Sequence, residues 1–261
     1  MHDLKIINVA NCGVLIKTKS TNILVDGLNS ETEHFDGIDS KSLHDMMACI
    51  EPFERIDHLL FTHGHQDHYD YKVMKSYLEK NKIQGLFLPK GALKDATDLI
   101  QLIERKDIEF IEPQYDIHVN KEWVVGDAVI TYFCTIHSGE AYKEIPHFAF
   151  LITVEGQKIY FSGDSDFTTD DQVQRLMNVD IDIAFYNPYH LNTISGREII
   201  REVNARRNFI YHIPSEGKDV FRIRKQAMQD IVKYRSELPT LDLILSQLLE
   251  LNNMVPCAAK K

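Results

Sequence analysis

Phe61-Thr62-His63-Gly64-His65-Gln66-Asp67-His68 sets four metal-ligand side chains, three imidazoles and a carboxylate, within six consecutive residues. The apolar run from Ile56 to Phe61, broken only by Asp57 and His58, reads as a strand entering the motif. Behind it Val73, Met74, Tyr77 and Leu78 recur at helical spacing among charged residues, so a helix follows. The cluster therefore falls on the turn at the C-terminal end of a strand, where α/β proteins place their chemistry. A lone His there would need no explanation. Four ligand-type side chains on one tight turn are hard to account for without a cation.

Before the motif, Lys5 to Val9, Gly13 to Lys17 and Asn22 to Asp26 read as three short strands, the last leaving the Asp26 carboxylate at a strand end. Asp39-Ser40 offers an N-cap for a helix to about Ile50. After the motif helix come a buried-type strand, Ile83 to Leu88, and a helical pattern from Gly91 to Lys106 built on Leu93, Leu99, Ile100 and Ile103. From Ile108 to Phe161 the pattern is strand-rich, with turn signals at 125–127 and 155–157. A helix near Asp170 to Met177, a strand Ile181 to Tyr186, a helix near Gly196 to Ala205 and a strand Phe209 to Tyr211 follow. The tail from Val220 to Leu251 reads as helical, with a break at Pro239. One loose echo stands out. Ile23-Leu-Val-Asp-Gly and Ile159-Tyr-Phe-Ser-Gly-Asp are both apolar strands ending beside Asp and Gly, which hints at two related βα halves.

The 261 residues suffice for a large buried core, and 44% hydrophobic with 26% charged content is ordinary for a globular protein. A formal net charge of −10 argues against a nucleic-acid or anionic-membrane partner, but not against a small anionic substrate. No apolar run approaches the about 18 residues of a membrane span, and the first residues lack a signal-peptide plan. The four cysteines, Cys12, Cys49, Cys134 and Cys257, are scattered, form no CxxC pair and read as reduced packing residues of a cytoplasmic protein.

Three other strand ends share the motif's setting: Thr135-Ile136-His137-Ser138-Gly139, Phe161-Ser162-Gly163-Asp164-Ser165-Asp166 and Tyr211-His212-Ile213-Pro214. Gathered at one sheet edge they give His63, His65, His68, His137, His212, Asp67 and Asp164. Seven ligands exceed what one tetrahedral zinc takes, whereas two metals about 3.5–4 Å apart use them all. Asp166 reads as a turn or helix-capping residue, and Arg197 and Arg201 as a solvated helical face before a site for an anion. His147 and His190 read first as ordinary hydrogen-bonded histidines. The segment from Tyr142 to Pro146 reads as a loop, with a position over the site as the sharper option.

This order of motifs resembles the metallo-β-lactamase-fold hydrolase superfamily from about Leu4 to Pro214. Asn187-Pro188-Tyr189 before a helix and His212-Ile213-Pro214 after a strand look like its L-ascorbate-6-phosphate lactonase-like subgroup. The resemblance implies a four-layer αββα sandwich in residues 1–219, with residues 220–261 a C-terminal helical extension packed on the same domain or against a second subunit. It implies a first metal on His63, His65 and His137, a second on Asp67, His68 and His212, and Asp164 bridging them. Asp26 would orient a ligand His from behind. Zinc is the first expectation, with manganese or iron as alternatives. The implied reaction is attack by a metal-held hydroxide on an ester, lactone or phosphodiester of a small molecule. Asp67 is the expected proton carrier and His190 the second candidate. A phosphodiesterase for cyclic nucleotides or nucleic acid is the runner-up. From another class stands a non-hydrolytic di-iron or ligand-sensing protein.

Overall fold

The computed structural model describes residues 4–92, 97–116, 120–169 and 171–251. Leu93, Asp170 and Cys257, singled out above, lie outside the described residues.

Six strands open the chain: β1 (Lys5–Asn8), β2 (Val14–Lys17), β3 (Asn22–Val25), β4 (His58–Leu60), β5 (Gly85–Phe87) and β6 (Glu109–Ile111). A second set follows: β7 (Asn120–Val125), β8 (Ala128–Thr135), β9 (His147–Val154), β10 (Gln157–Phe161), β11 (Ile183–Tyr186), β12 (Arg207–Ile210) and β13 (Leu241–Leu243), with β14 (Leu249–Glu250) last. They form two seven-stranded sheets, ordered β14-β1-β2-β3-β4-β5-β6 and β13-β12-β11-β10-β9-β8-β7. In the first sheet pairing is antiparallel up to β2–β3 and parallel from β3–β4 onward. In the second it is antiparallel up to β9–β10 and parallel from β10–β11 onward. Strands β3 and β10, the two segments that echo each other in sequence, thus occupy equivalent switch points. The crevice beyond such a switch is where open α/β sheets bind ligands.

Period-two alternation divides each strand between two apolar layers. Val14, Ile16, Ile23 and Val25 of the first sheet meet Ile159, Phe161, Ile183 and Phe185 of the second in the central core. Leu15, Leu24 and Leu59 point outward onto helices α1 (Ser40–Met47), α2 (Tyr71–Lys80) and α3 (Thr97–Arg105). On the other side Tyr160, Ala184 and Tyr186 pack under α4 (Asp171–Leu176), α5 (Pro188–Asn192), α6 (Ile194–Val203) and α7 (Ile223–Lys233). The result is a four-layer αββα sandwich, the architecture the resemblance implies.

Helix starts follow local chemistry. Asp39 accepts from the Lys41 and Ser42 amides, and Asp70 from those of Lys72 and Val73. The C-terminal region departs from the expected helical tail. Among its described residues the one α-helix is Ile223–Lys233; between Pro239 and Leu251 two short strands form, because β13 finds an edge on β12 and β14 an edge on β1. Apolar residues in a short run do not separate helix from edge strand. A free sheet edge does.

Candidate metal centre

Strand ends deliver every ligand-type residue to one place. His63 to His68 follow β4, His137 follows β8, Asp164 follows β10 and His212 follows β12. Two of these turns, and that of Asp26, need left-handed backbone: Asp26 has φ 48°, Gly163 φ 56° and His212 φ 57°. Non-glycine residues occupy that region at a cost of order 1 kcal/mol, which the surrounding structure must offset. At Gly163 a β-carbon would lie 2.6 Å from His147 Nε2 and 3.0 Å from Thr62 Cβ, so only glycine lets Asp164 approach.

The donors fall into two groups. His63 Nε2 and His65 Nδ1 are 3.0 Å apart, and His137 Nε2 is 3.3 Å from the first and 3.2 Å from the second. Nitrogens about 2.0–2.1 Å from a tetrahedral ion lie about 3.3 Å from one another. In the second group His68 Nε2 and His212 Nε2 are 2.9 Å apart, with Asp67 Oδ2 3.4 Å from His212. Asp164 Oδ2 reaches both groups, 3.5 Å from His68, 3.7 Å from His212 and 3.9 Å from His137.

Hydrogen bonds behind the rings fix which nitrogen is bare. His137 Nδ1 donates to the Ser138 carbonyl at 2.7 Å, leaving Nε2 as a lone pair. His68 Nδ1 donates to Asp26 Oδ2 at 2.9 Å with the same effect. Asp26 also accepts from the Thr62 amide at 2.8 Å and hydroxyl at 2.7 Å, so it ties β3 to the start of the motif. Asn11 places its amide 3.2 Å from His212 Nδ1, while its Oδ1 is buried without a partner. Turned so that Oδ1 faces the ring, the amide accepts from Nδ1 and bares His212 Nε2. Lone pairs converging at such distances repel one another unless a cation lies among them, so the donor set fits two metal ions.

Burial sets the charges. It pushes His63 well below the usual imidazole value and His65 down to about 4, with neighbouring histidines adding to the effect. His137 is lowered by burial as well. Burial opposes ionisation of Asp67 and Asp164, but the histidines around them outweigh it and hold both carboxyls below their ordinary range, Asp67 at about 2. Burial opposes a charge on His68 too, but Cys12, Asp164 and Asp26 outweigh it and raise this imidazole well above its usual value, so its proton would have to leave when metal binds. Neutral His63, His65 and His137 beside ionised carboxylates are already in the protonation states metal ligation requires.

Two residues sit here that the sequence did not mark as part of the site: His147, read as an ordinary hydrogen-bonded histidine, and Asn11. His147 is fully buried, and its Nε2 accepts from the Asp164 amide at 2.9 Å. Since that nitrogen is an acceptor, Nδ1 carries the proton and donates to Thr135 Oγ1 at 2.5 Å. A His opening a strand gave no signal of this. Asn11, between β1 and β2, gave none either. Cys12, read as packing, is buried beside the second group, its thiol donating to the Asp67 carbonyl at 3.0 Å; burial raises it to about 12.

Other expectations resolve differently. His190 is fully buried, its Nδ1 on Asn187 Oδ1 at 3.1 Å, and it does not line the cavity in front of the donors. Helix α5 turns Tyr189 outward in its place, because Asn187 caps the helix and Pro188 fixes its first turn. Arg197 is buried, donating to the Leu191 carbonyl and stacking on Tyr234, and Arg201 pairs with Glu237; neither faces the site. Asp166 accepts from Thr168 as a turn residue. Tyr142, in the short 3-10 turn Glu140–Tyr142, covers the first donor group, its ring 5.0 Å from that of His65.

No helix among the described residues is long and apolar enough to cross a membrane. Comparison with solved structures gives fold matches. A possible metal-dependent hydrolase from Veillonella parvula is 13% identical with a TM-score of 0.66, over 96% of this chain and 99% of that one. Isothiocyanate hydrolase from Delia radicum gut bacteria is 14% identical with a TM-score of 0.63, over 95% and 98%. CmlA, a diiron β-hydroxylase from Streptomyces venezuelae, is 16% identical with a TM-score of 0.66, over 96% of this chain and 55% of that one, so this chain spans about half its length. Residues 21–213 match the family model described as beta-lactamase superfamily domain, and the chain belongs to that family.

Proposed function

We propose that this chain is a dinuclear metal-dependent hydrolase acting on an ester, lactone or phosphodiester bond of a small molecule. The observation that carries the reading is the double donor group joined by Asp164 Oδ2. His63, His65 and His137 would hold one ion and Asp67, His68 and His212 the other, with Asp164 shared. Two divalent ions so held would supply a hydroxide at neutral pH and polarise the oxygen of the attacked bond. The chain's own residues do the rest. Asp26, Ser138 and Asn11 fix ring tautomers, and His147 holds the backbone of Asp164. Asp67 would carry a proton to the leaving atom, a role supported by its carboxylate lining the cavity. Zinc as the native metal and a cytoplasmic location belong to this proposal.

Elemental analysis of protein never exposed to chelator should give close to two metals per chain; a value well under one would sink the dinuclear reading. A hydrolysis screen over lactones, phosphodiesters and thioesters with zinc, manganese and iron tests the reaction. Asp67→Ala should lose most turnover with its circular dichroism unchanged. A second reading, a di-iron protein without hydrolytic turnover, is supported by the two carboxylates among the donors, which suit iron. Oxygen consumption by the iron-loaded protein, with no hydrolysis of any screened substrate, would favour it.

A further inference from the structure

Resting on the hydrolase reading, we infer from the cavity wall that the substrate is a neutral acyl compound with an aryl or branched-alkyl body, not a phosphorylated or otherwise anionic one. A cavity of about 530 Å³ opens in front of Asp67, His137 and Asp164. That is the size range of small-molecule sites. Beyond the ligand groups its wall is mainly Phe35, Tyr142, Phe167, Tyr189, Phe221 and Ile223.

The rings are arranged around both donor groups. Phe35 meets His212 edge-on at 4.2 Å, Tyr142 stands over His65, and Phe167 stacks on Tyr189 at 5.7 Å. Tyr142, Tyr189 and Phe221 remain 48%, 41% and 65% exposed. Large apolar groups left in contact with water around one opening mark a surface that gains by covering an apolar ligand.

Charge points the same way. Among the described residues, no lysine or arginine lines the cavity. Lys218 comes near, but it donates to the Thr32 carbonyl at 2.6 Å and pairs with Glu31 at 3.2 Å. Lys143 pairs with Glu140 at 2.6 Å. Of the polar wall groups, Gln66 already donates to Ser30 and Glu31, and His34 stands edge-on to Phe221 at 4.6 Å with Glu33 4.0 Å from its Nε2. A phosphate on the substrate's body, away from the metal ligands, would lose its hydration among aromatic rings with no lysine or arginine to pair with it. An aryl or branched-alkyl body would instead gain by leaving water. In the reaction, water adds to the carbonyl carbon, the acyl carbon–oxygen bond breaks, and the freed alkoxide takes a proton; no oxidant or reductant is needed.

The test uses a matched pair of lactones on metal-loaded enzyme. One is γ-phenyl-γ-butyrolactone and the other carries a phosphorylated hydroxymethyl group in place of the phenyl. Ring opening is followed by base uptake. The wild type should open the phenyl lactone with kcat/KM at least 100-fold above the phosphorylated one. Phe221→Lys, a substitution at an exposed position, should narrow that ratio at least tenfold. Equal or better turnover of the phosphorylated lactone by the wild type would overturn the inference and leave the hydrolase reading intact. If neither lactone opens, the hydrolase reading loses its lactone branch, and binding decides the ligand class. Calorimetry with the neutral, slowly cleaved 5-phenyl-2-pyrrolidinone should then show saturable binding that Phe167→Ala weakens at least tenfold. No binding, or binding indifferent to Phe167→Ala, overturns the inference.

Discussion

Asn11 and His147 show how single residues outside the ligand motif decide what the motif can hold. Asn11 is the partner of His212 Nδ1, and such partners are generally worth about 10–100-fold in metal affinity or activity. Asn11→Ala should therefore weaken metal retention by that range in competition with a chelator while the fold persists; unchanged affinity would show the contact to be idle. His147 acts on the backbone of Asp164. His147→Leu leaves that amide without an acceptor, which costs about 1–3 kcal/mol when buried. Thermal unfolding should register the loss, and metal content should fall with it. A variant with wild-type melting and two metals would exclude this role.

At the scale of elements, α5 is a short helix whose cap and proline present Tyr189 to the cavity and bury His190 beneath it. Burial lowers His190 to about 4, well under the ordinary imidazole value of about 6.5. The native state thus binds this proton more weakly than the unfolded chain does. Its contribution to stability is fully present above about pH 6.5 and is lost as pH falls toward 4. At pH 5 the loss amounts to about 2 kcal/mol. Urea unfolding at pH 7 and pH 5 should show that much less pH sensitivity in His190→Gln than in wild type. Identical sensitivity in both would place the acid response elsewhere. The C-terminal strands belong to this scale too. Leu241 to Leu243 and Leu249 to Glu250 carry no helix-breaking signal of their own, and the open edges of β12 and β1 decide their state.

Across the whole molecule, two sheets and two helical layers are held by a central core in which Phe150 and Phe161 of one sheet face Leu60 and Phe87 of the other. Phe150→Ala should cost about 3–5 kcal/mol in chemical denaturation, because a close-packed core collapses only partly around a missing ring. Metal ions that bind the folded chain alone add stability by mass action, about 4 kcal/mol at a thousandfold excess over Kd. Exhaustive chelation should lower the melting temperature and re-addition of metal restore it; a melting temperature indifferent to chelator would contradict a site that joins four strand ends.

Much of this was legible in the chain. The strand before His63, the helix after Asp70, the three strand ends bearing His137, Asp164 and His212, and the echo between β3 and β10 follow from periodicity and turn chemistry, which are local. Those segments are short and strongly patterned, so neighbours in sequence suffice to state them. The acceptor on the Asp164 amide, the amide behind His212, the enclosure of His190 and the aromatic wall of the cavity were not legible. Each depends on residues far apart in sequence, and such contacts exist only once both sheets have closed on each other. The sequence by itself determined which groups could meet metal: His63, His65, Asp67, His68, His137, Asp164 and His212. Tertiary structure alone decided how their lone pairs are aimed and what kind of molecule can lie against them, because tautomer, burial and cavity shape are properties of the packed assembly.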